Sequence, residues 1–186
     1  GQPVPPDGYR GAYVADLAAL VVAERPDNVD LPADEQVAAF REEGYRRQLA
    51  EQKAQLDAFR THFDVWTSER ELHTSGKVAH GIDVLSEGGH LYEADGALWM
   101  RTTDFGDDKD RVLVKQDGEY TYFASDTAYY VDKRERGFDR CVYLLGADHH
   151  GYVGRLRALV ACAGDDPDET LDVLIGQLVT VLKGGE

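Results

Sequence analysis

Two clusters in the 186-residue sequence carry side chains able to do chemistry. The first, Tyr122-Phe123-Ala124-Ser125-Asp126, runs from a β-prone stretch into a helical one and puts a carboxylate near a phenol ring. Such a pair is a good receptor for a cationic side chain. A guanidinium offers a planar fork of donors that one carboxylate accepts bidentately, and an aromatic face adds cation–π attraction. The same spacing also suits a plainer role, in which Asp126 or Ser125 caps the helix by accepting a backbone N–H bond. The second cluster, Asp148-His149-His150, follows an apolar run of strand length. Adjacent side chains diverge and no third ligand stands at i+4, so a metal centre is not expected there. Capping of the next helix by Asp148, and hydrogen bonding of the imidazoles to a small polar ligand, both fit the spacing.

Other chemistries find no support. Gly8-Tyr9-Arg10-Gly11 and Gly88-Gly89 are not phosphate loops, because neither belongs to a GxxxxGK[ST] or GxGxxG pattern after a strand. No Gly-x-Ser-x-Gly elbow occurs. Cys141 and Cys162 sit in apolar segments, at a spacing that suits buried thiols rather than a disulfide framework or a zinc knuckle. His62, His73, His80 and His90 read as ordinary surface or core histidines.

The elements that must position these residues follow from periodicity. Gly1 to Gly8, rich in Pro and Gly, reads as loop, and Tyr9 to Ala23 as a helix through Tyr13, Leu17, Leu20 and Val21. After a loop at Asn28 to Pro32, a long helix is expected from Ala33 or Asp34 through Phe59. Its apolar stripe is Val37, Phe40, Leu49, Leu56 and Phe59, and at about 1.5 Å per residue it reaches roughly 35–40 Å. Phe63 to Trp66 reads as a short strand and Ser68 to Glu87 as one or two helices. Leu91-Tyr92, Ala97 to Thr102, Arg111 to Lys115 and Glu119 to Phe123 form a small antiparallel meander, with Asp95-Gly96 and Asp117-Gly118 as turns. Thr127 to Arg136 is helical, Cys141 to Leu145 a fully apolar strand, and Gly151 to Ala163 a helix. That order suggests one unit of a parallel sheet covered on both faces, with ligands gathering at the carboxyl end of the strand. Asp165 to Leu182 is expected to close the sequence as an amphipathic helix. The organisation expected is one domain over residues 1–186: a mainly helical insertion at 24–90, the β meander at 91–123 and an α/β half at 124–186.

Composition narrows the class. Hydrophobic residues make up 42% and charged residues 30%, the balance of a soluble, cytoplasmic globular protein without a membrane span. The formal net charge of -15 opposes approach to a polyanion, so these residues alone should bind nucleic acid weakly or not at all.

The residues then resemble a known family. Gly8-Tyr9-Arg10-Gly11-Ala12-Tyr13-Val14, Phe63-Asp64-Val65-Trp66-Thr67-Ser68-Glu69, Gly96-Ala97-Leu98-Trp99-Met100-Arg101-Thr102, Tyr122 to Tyr130 and Gly146 to Val153 are similar, in this order, to bacterial arginyl-tRNA synthetases. The resemblance covers essentially the whole sequence. It implies an α/β fold: the central part of a Rossmann-like class I synthetase catalytic domain with inserted helices. It also implies that Tyr122 and Asp126 line an arginine pocket with Asp126 receiving the guanidinium, that His149 borders the amino acid, and that Asp148 and His150 lie toward the adenylate. ATP with Mg2+, L-arginine and tRNA(Arg) are the family's partners, and no tightly bound cofactor is expected in this chain.

The family's His-Ile-Gly-His type and Lys-Met-Ser-Lys type signatures, which hold ATP and steady the developing phosphate anion, are absent from the sequence. Hence these residues alone are expected neither to activate arginine nor to charge tRNA at a useful rate. Three readings result: the central section of an arginine–tRNA ligase, a stand-alone relative that binds arginine as a module or serves another arginine-using pathway, and a structural remnant. An open sheet edge leads us to expect either an obligate partner or self-association through that edge.

Overall fold

A computed structural model describes residues 8, 9 and 11–184. The Pro/Gly-rich opening read as loop lies, apart from Gly8, outside the described residues. The chain divides into two compact units between Trp66 and Thr67.

The first unit is a helical hairpin. Helix α1 (Ala12–Glu24) and helix α2 (Ala33–Ala58) are joined by a 3-10 turn at Pro26–Asp30, where the sequence suggested only loop. Pro32 precedes α2, and Asp34 and Glu35 fill its first turn, where carboxylates meet the positive end of the helix dipole. Arg46 and Arg47 reach Glu24 across the hairpin, and Arg25 reaches Glu43 at 3.9 Å. Val21 of α1 is buried, whereas α2 buries no residue fully and Val37 and Phe59 of the expected apolar stripe are exposed. Phe63 to Trp66 is not a strand: among the described residues no strand pairs with it, and its residues pack locally instead. The Phe63 ring meets Trp66 edge-on at 5.2 Å, and Lys53 Nζ lies 4.9 Å above the indole.

The second unit carries both chemical clusters. Helices α3 (Glu69–Thr74) and α4 (Lys77–Glu87) realise the expected pair. Strands β1 (Leu91–Ala94), β2 (Ala97–Met100) and β3 (Arg111–Val114) form an antiparallel meander in that order. Ala94 faces Ala97 across the Asp95-Gly96 turn, whose φ values of 52° and 73° are the positive pair a two-residue hairpin requires. The expected fourth strand reduces to a single bridge between Val114 and Tyr120. It stops because Thr121 begins a helix: its Oγ1 donates to Val112 O (2.8 Å) and accepts from Ala124 N (3.3 Å), making Thr121 the N-cap of α5 (Tyr122–Glu135). Helix α5 thus begins five residues before the expected Thr127. Asp126 lies in its second turn, and neither Asp126 nor Ser125 is its cap.

Strand β4 (Cys141–Gly146) leads through a 3-10 turn, Ala147–Tyr152, into α6 (Val153–Cys162). A short helix α7 (Pro167–Thr170) then gives way to strand β5 (Leu171–Gly176), which pairs parallel with β4 from Cys141–Leu171 to Gly146–Gly176. The expected closing helix over Asp165 to Leu182 is therefore corrected. Leu171, Val173 and Ile175 satisfy a period of two while Leu171, Leu174, Ile175 and Leu178 satisfy a helical one, and the ladder to β4 supplies the backbone bonds. Cys141, Tyr143, Leu145, Leu171 and Val173 turn to the core, while Val142, Leu144 and Leu174 are exposed. Among the described residues the parallel pair is thus covered on one face, where the sequence suggested cover on both. Cys141 and Cys162 are free and buried, as their setting suggested.

Helices α4 and α5 meet so closely that a Cβ on Gly81 would lie 2.9 Å from Ala128 Cα and 3.2 Å from its amide nitrogen. Backbone atoms cannot swing aside as a side-chain tip can. Gly81→Ala is therefore expected to destabilise the protein by about 1–3 kcal/mol, seen as a lower denaturation midpoint, because it wedges apart the helix that carries Asp126. An unchanged midpoint would show that the two helices slide freely.

Candidate functional site

Helix α5 presents Tyr122, Asp126 and Tyr129 at spacings of four and three, on one face. With Thr67, Glu69, Leu72 and Ser125 they line a cleft of about 240 Å³. That volume lies below the usual range for drug-sized ligands and suits one small molecule. Tyr122 is 84% exposed at its rim, while Ser125 is buried and its Oγ lies 2.9 Å from His73 Nε2. A second cleft, about 310 Å³, shares Glu69, Tyr122 and Ser125 and extends past His73, Lys115, Glu119 and Tyr120.

The Asp126 carboxylate accepts a short hydrogen bond on Oδ2 from the Tyr152 hydroxyl. Tyr152 ends the 3-10 turn that follows β4, so this bond ties the two sequence clusters together. The Arg155 guanidinium stacks 4.5 Å from the Tyr152 ring centre. Burial raises the Asp126 pKa above its ordinary value. The Tyr152 bond opposes that, the like charge of Glu69 adds to it, and Arg155 and Lys133 counter it. Lys133 Nζ sits between two phenol faces, 3.7 Å from the Tyr129 centroid and 3.9 Å from that of Tyr143, and burial brings its pKa down to about 8. Burial and the neighbouring Asp126 carboxylate drive the Tyr152 phenol well up.

Of the residues singled out in the sequence, Tyr122 and Asp126 share the cleft. Asp148, His149 and His150 lie exposed on the 3-10 turn, with His149 Nε2 3.5 Å from Asp148 Oδ2, and none of the three lines the 240 Å³ cleft. Glu69, Tyr129 and Tyr152 are the additions. Tyr129 was legible from helical spacing once Asp126 was chosen, whereas Glu69 and Tyr152 arrive from distant segments that only the tertiary structure brings in. Among the described residues, no group of three or more His, Cys, Asp or Glu side chains is placed to hold a metal ion, and no helix is long and apolar enough to cross a membrane.

A mixed α/β unit with a parallel strand pair, an antiparallel meander and a cleft along α5, tied by Tyr152 to the turn after β4, fits a class I synthetase catalytic domain. The family model for "tRNA synthetases class I (R), catalytic domain" matches residues 32–182, and the chain belongs to that family. It is similar to relatives named arginine–tRNA ligase: 60% identical to that of Frankia alni over 100% of this chain and 34% of the relative, and 55% identical to that of Kineococcus radiotolerans over 99% and 33%. Among solved structures, a chain assigned as an arginyl tRNA synthetase from Campylobacter jejuni superposes with a TM-score of 0.88 at 30% identity, covering 100% of this chain and 40% of its own. The arginyl-tRNA synthetase of Thermus thermophilus (TM-score 0.64, 18% identity, 92% of this chain and 37% of that one) shares the fold. The chain spans about a third of the length of the curated relatives it matches.

Proposed function

We propose that this chain is the central, arginine-binding part of the catalytic domain of an arginine–tRNA ligase, an enzyme that activates L-arginine with ATP and transfers it to tRNA(Arg). The observation that carries this reading is the half-buried Asp126 carboxylate in a small cleft with the Tyr122 and Tyr129 rings and a second carboxylate, Glu69. Two negative groups and aromatic faces suit a planar cation and disfavour a neutral or anionic guest. Asp126 receives the guanidinium, Tyr122 closes over the side chain from the rim, and His149 borders the amino acid. Asp148 and His150, exposed beyond the end of β4, face the adenylate. That assignment is supported by their place at the carboxyl end of a parallel strand, where ligands of open α/β sheets bind.

Calorimetry with L-arginine, L-citrulline and L-lysine tests the reading. Arginine is expected to bind, citrulline, the neutral near-isostere, far more weakly, and lysine weakly for want of a planar fork. Equal affinities for arginine and citrulline would sink the claim of a carboxylate receiving a charged guanidinium. ATP–pyrophosphate exchange by these 186 residues alone is expected to be nil, because they include neither a His-Ile-Gly-His nor a Lys-Met-Ser-Lys type signature. The net charge of -15 likewise predicts weak or no tRNA binding by these residues alone.

A further inference from the structure

We propose that Tyr152 is a positioning residue for the cleft: its hydroxyl fixes the plane of the Asp126 carboxylate, and this restraint sets the preference for a charged planar fork over its neutral analogue. The inference rests on the reading of Asp126 as the group that receives arginine, and it assigns a specificity role to a side chain outside the cleft lining.

The geometry argues as follows. An aspartate on a helix can turn about two side-chain torsions, and a fork-to-fork contact is strong only when carboxylate and guanidinium are coplanar. Something must hold that plane before the ligand arrives. Among the described residues, the Tyr152 hydroxyl is the only hydrogen-bond donor to the Asp126 side chain, and it binds Oδ2. An ionised carboxylate has about four lone-pair sites, so one donor leaves enough for a two-donor ligand. Tyr152 is itself braced. Arg155, three residues on, stacks 4.5 Å from its ring, and the Arg155 Nε is buried without a hydrogen-bond partner.

The bond also bears on charge. Asp126 is faced by Glu69 from α3, Lys133 from its own helix, Arg155 from α6 and the Tyr143 phenol from β4. Burial and Glu69 favour the protonated acid, Lys133 and Arg155 the ion, and a hydroxyl donated to the carboxylate favours the ion as well. Tyr152→Phe deletes that donor and keeps the ring under Arg155.

Two measurements test the role. The first follows the Asp126 side-chain carboxyl carbon by NMR across pH in the ligand-free protein, wild type against Tyr152→Phe. The midpoint is expected to move up in the variant, and in the wild type the Tyr152 Cζ shift is expected to titrate at the same midpoint as Asp126. Separate wild-type midpoints overturn the proposal without any variant, and an unmoved Asp126 midpoint in Tyr152→Phe overturns it too. The second is calorimetry at neutral pH. Tyr152→Phe is expected to bind arginine about tenfold more weakly, about 1.4 kcal/mol, with preference over citrulline reduced by the same factor and the acid limb of binding moved to higher pH. Unchanged discrimination and an unchanged acid limb overturn the positioning role while leaving Asp126 as receiver. Absence of arginine binding by the wild type, with Asp126 and Tyr152 titrating together, overturns the arginine reading instead.

Discussion

Replacing Asp126 by asparagine is expected to weaken arginine binding by about 2–4 kcal/mol, roughly 30- to 1000-fold, while making the empty protein more stable at neutral pH. The loss follows from removing the charge while keeping the shape: asparagine can still accept from Tyr152 but offers a guanidinium no counter-charge. The gain follows from the direction in which Asp126 is shifted. Its pKa is raised above 3.8, chiefly by burial. Between those two values the folded state holds a proton that the unfolded state has released, so stability falls as pH rises through this window and stays lowered above it. Asparagine has no proton to lose and escapes the fall. Thermal melts should show a higher midpoint for the variant at pH 7, a gain that vanishes below the unfolded-state value. Citrulline affinity should hardly change. A variant less stable than wild type at pH 7 would mean that Asp126 holds the fold together, and the site would lose its signature of strain accepted for binding.

Much of this arrangement was legible, and the reasons differ by element. Helix α2 is legible to within one residue because a preceding proline, acidic first-turn residues and a long run interrupted only by Gly44 all agree. The Asp95-Gly96 turn announced its hairpin because few other dipeptides tolerate two positive φ values. Short apolar runs were where periodicity failed. Leu171 to Leu182 satisfies both the strand and the helix period, and only the parallel pairing with β4, thirty residues earlier, chooses between them. Phe63 to Trp66 has strand composition but no partner, and β-propensity records packing against neighbours rather than a backbone preference. At the start of α5, Thr121, Ser125 and Asp126 are all residue types that cap helices, and only the structure shows that Thr121 does so. With Thr121 as cap, the candidate carboxylate stands in the second turn of the helix and not at its start.

The site itself was half legible. A phenol four residues before an aspartate is one helical face wherever the helix begins, so Tyr122 and Asp126 survive the error in its start. Glu69 and Tyr152 approach from segments 57 residues before and 26 residues after Asp126, and no local spacing announces them. Side chains that choose a ligand's charge come from several elements because one helix face cannot surround a guest.

The other end of α5 supports a prediction of similar size that should leave binding almost untouched. Tyr130 is 1% exposed and its hydroxyl donates to Asp165 Oδ2 at 2.6 Å. Arg134 adds a two-point clasp on the same carboxylate, at 2.9 and 3.0 Å, and donates to Phe138 O at 2.6 Å. Asp165 stands just before α7 and β5, so these bonds fasten the last turns of α5 to the segment that delivers the second parallel strand. Asp165→Ala leaves a half-buried guanidinium without its carboxylate and a buried phenol with only Thr170 Oγ1, 3.3 Å away. Such uncompensated groups cost about 2–4 kcal/mol, which chemical denaturation should report as a lower midpoint at unchanged slope. In a Tyr130→Phe background the same substitution should cost about 0.5–3 kcal/mol less, because the two side chains share one bond, and strict additivity would refute that coupling. Arginine affinity should stay within about twofold, since Asp126 lies one turn from Tyr130 and two from Arg134 and is held by Tyr152 rather than by this clasp. Were affinity to fall in step with stability, α5 would be transmitting disorder from its carboxyl end to the cleft, and the division of the helix into an anchored half and a receiving half would fail.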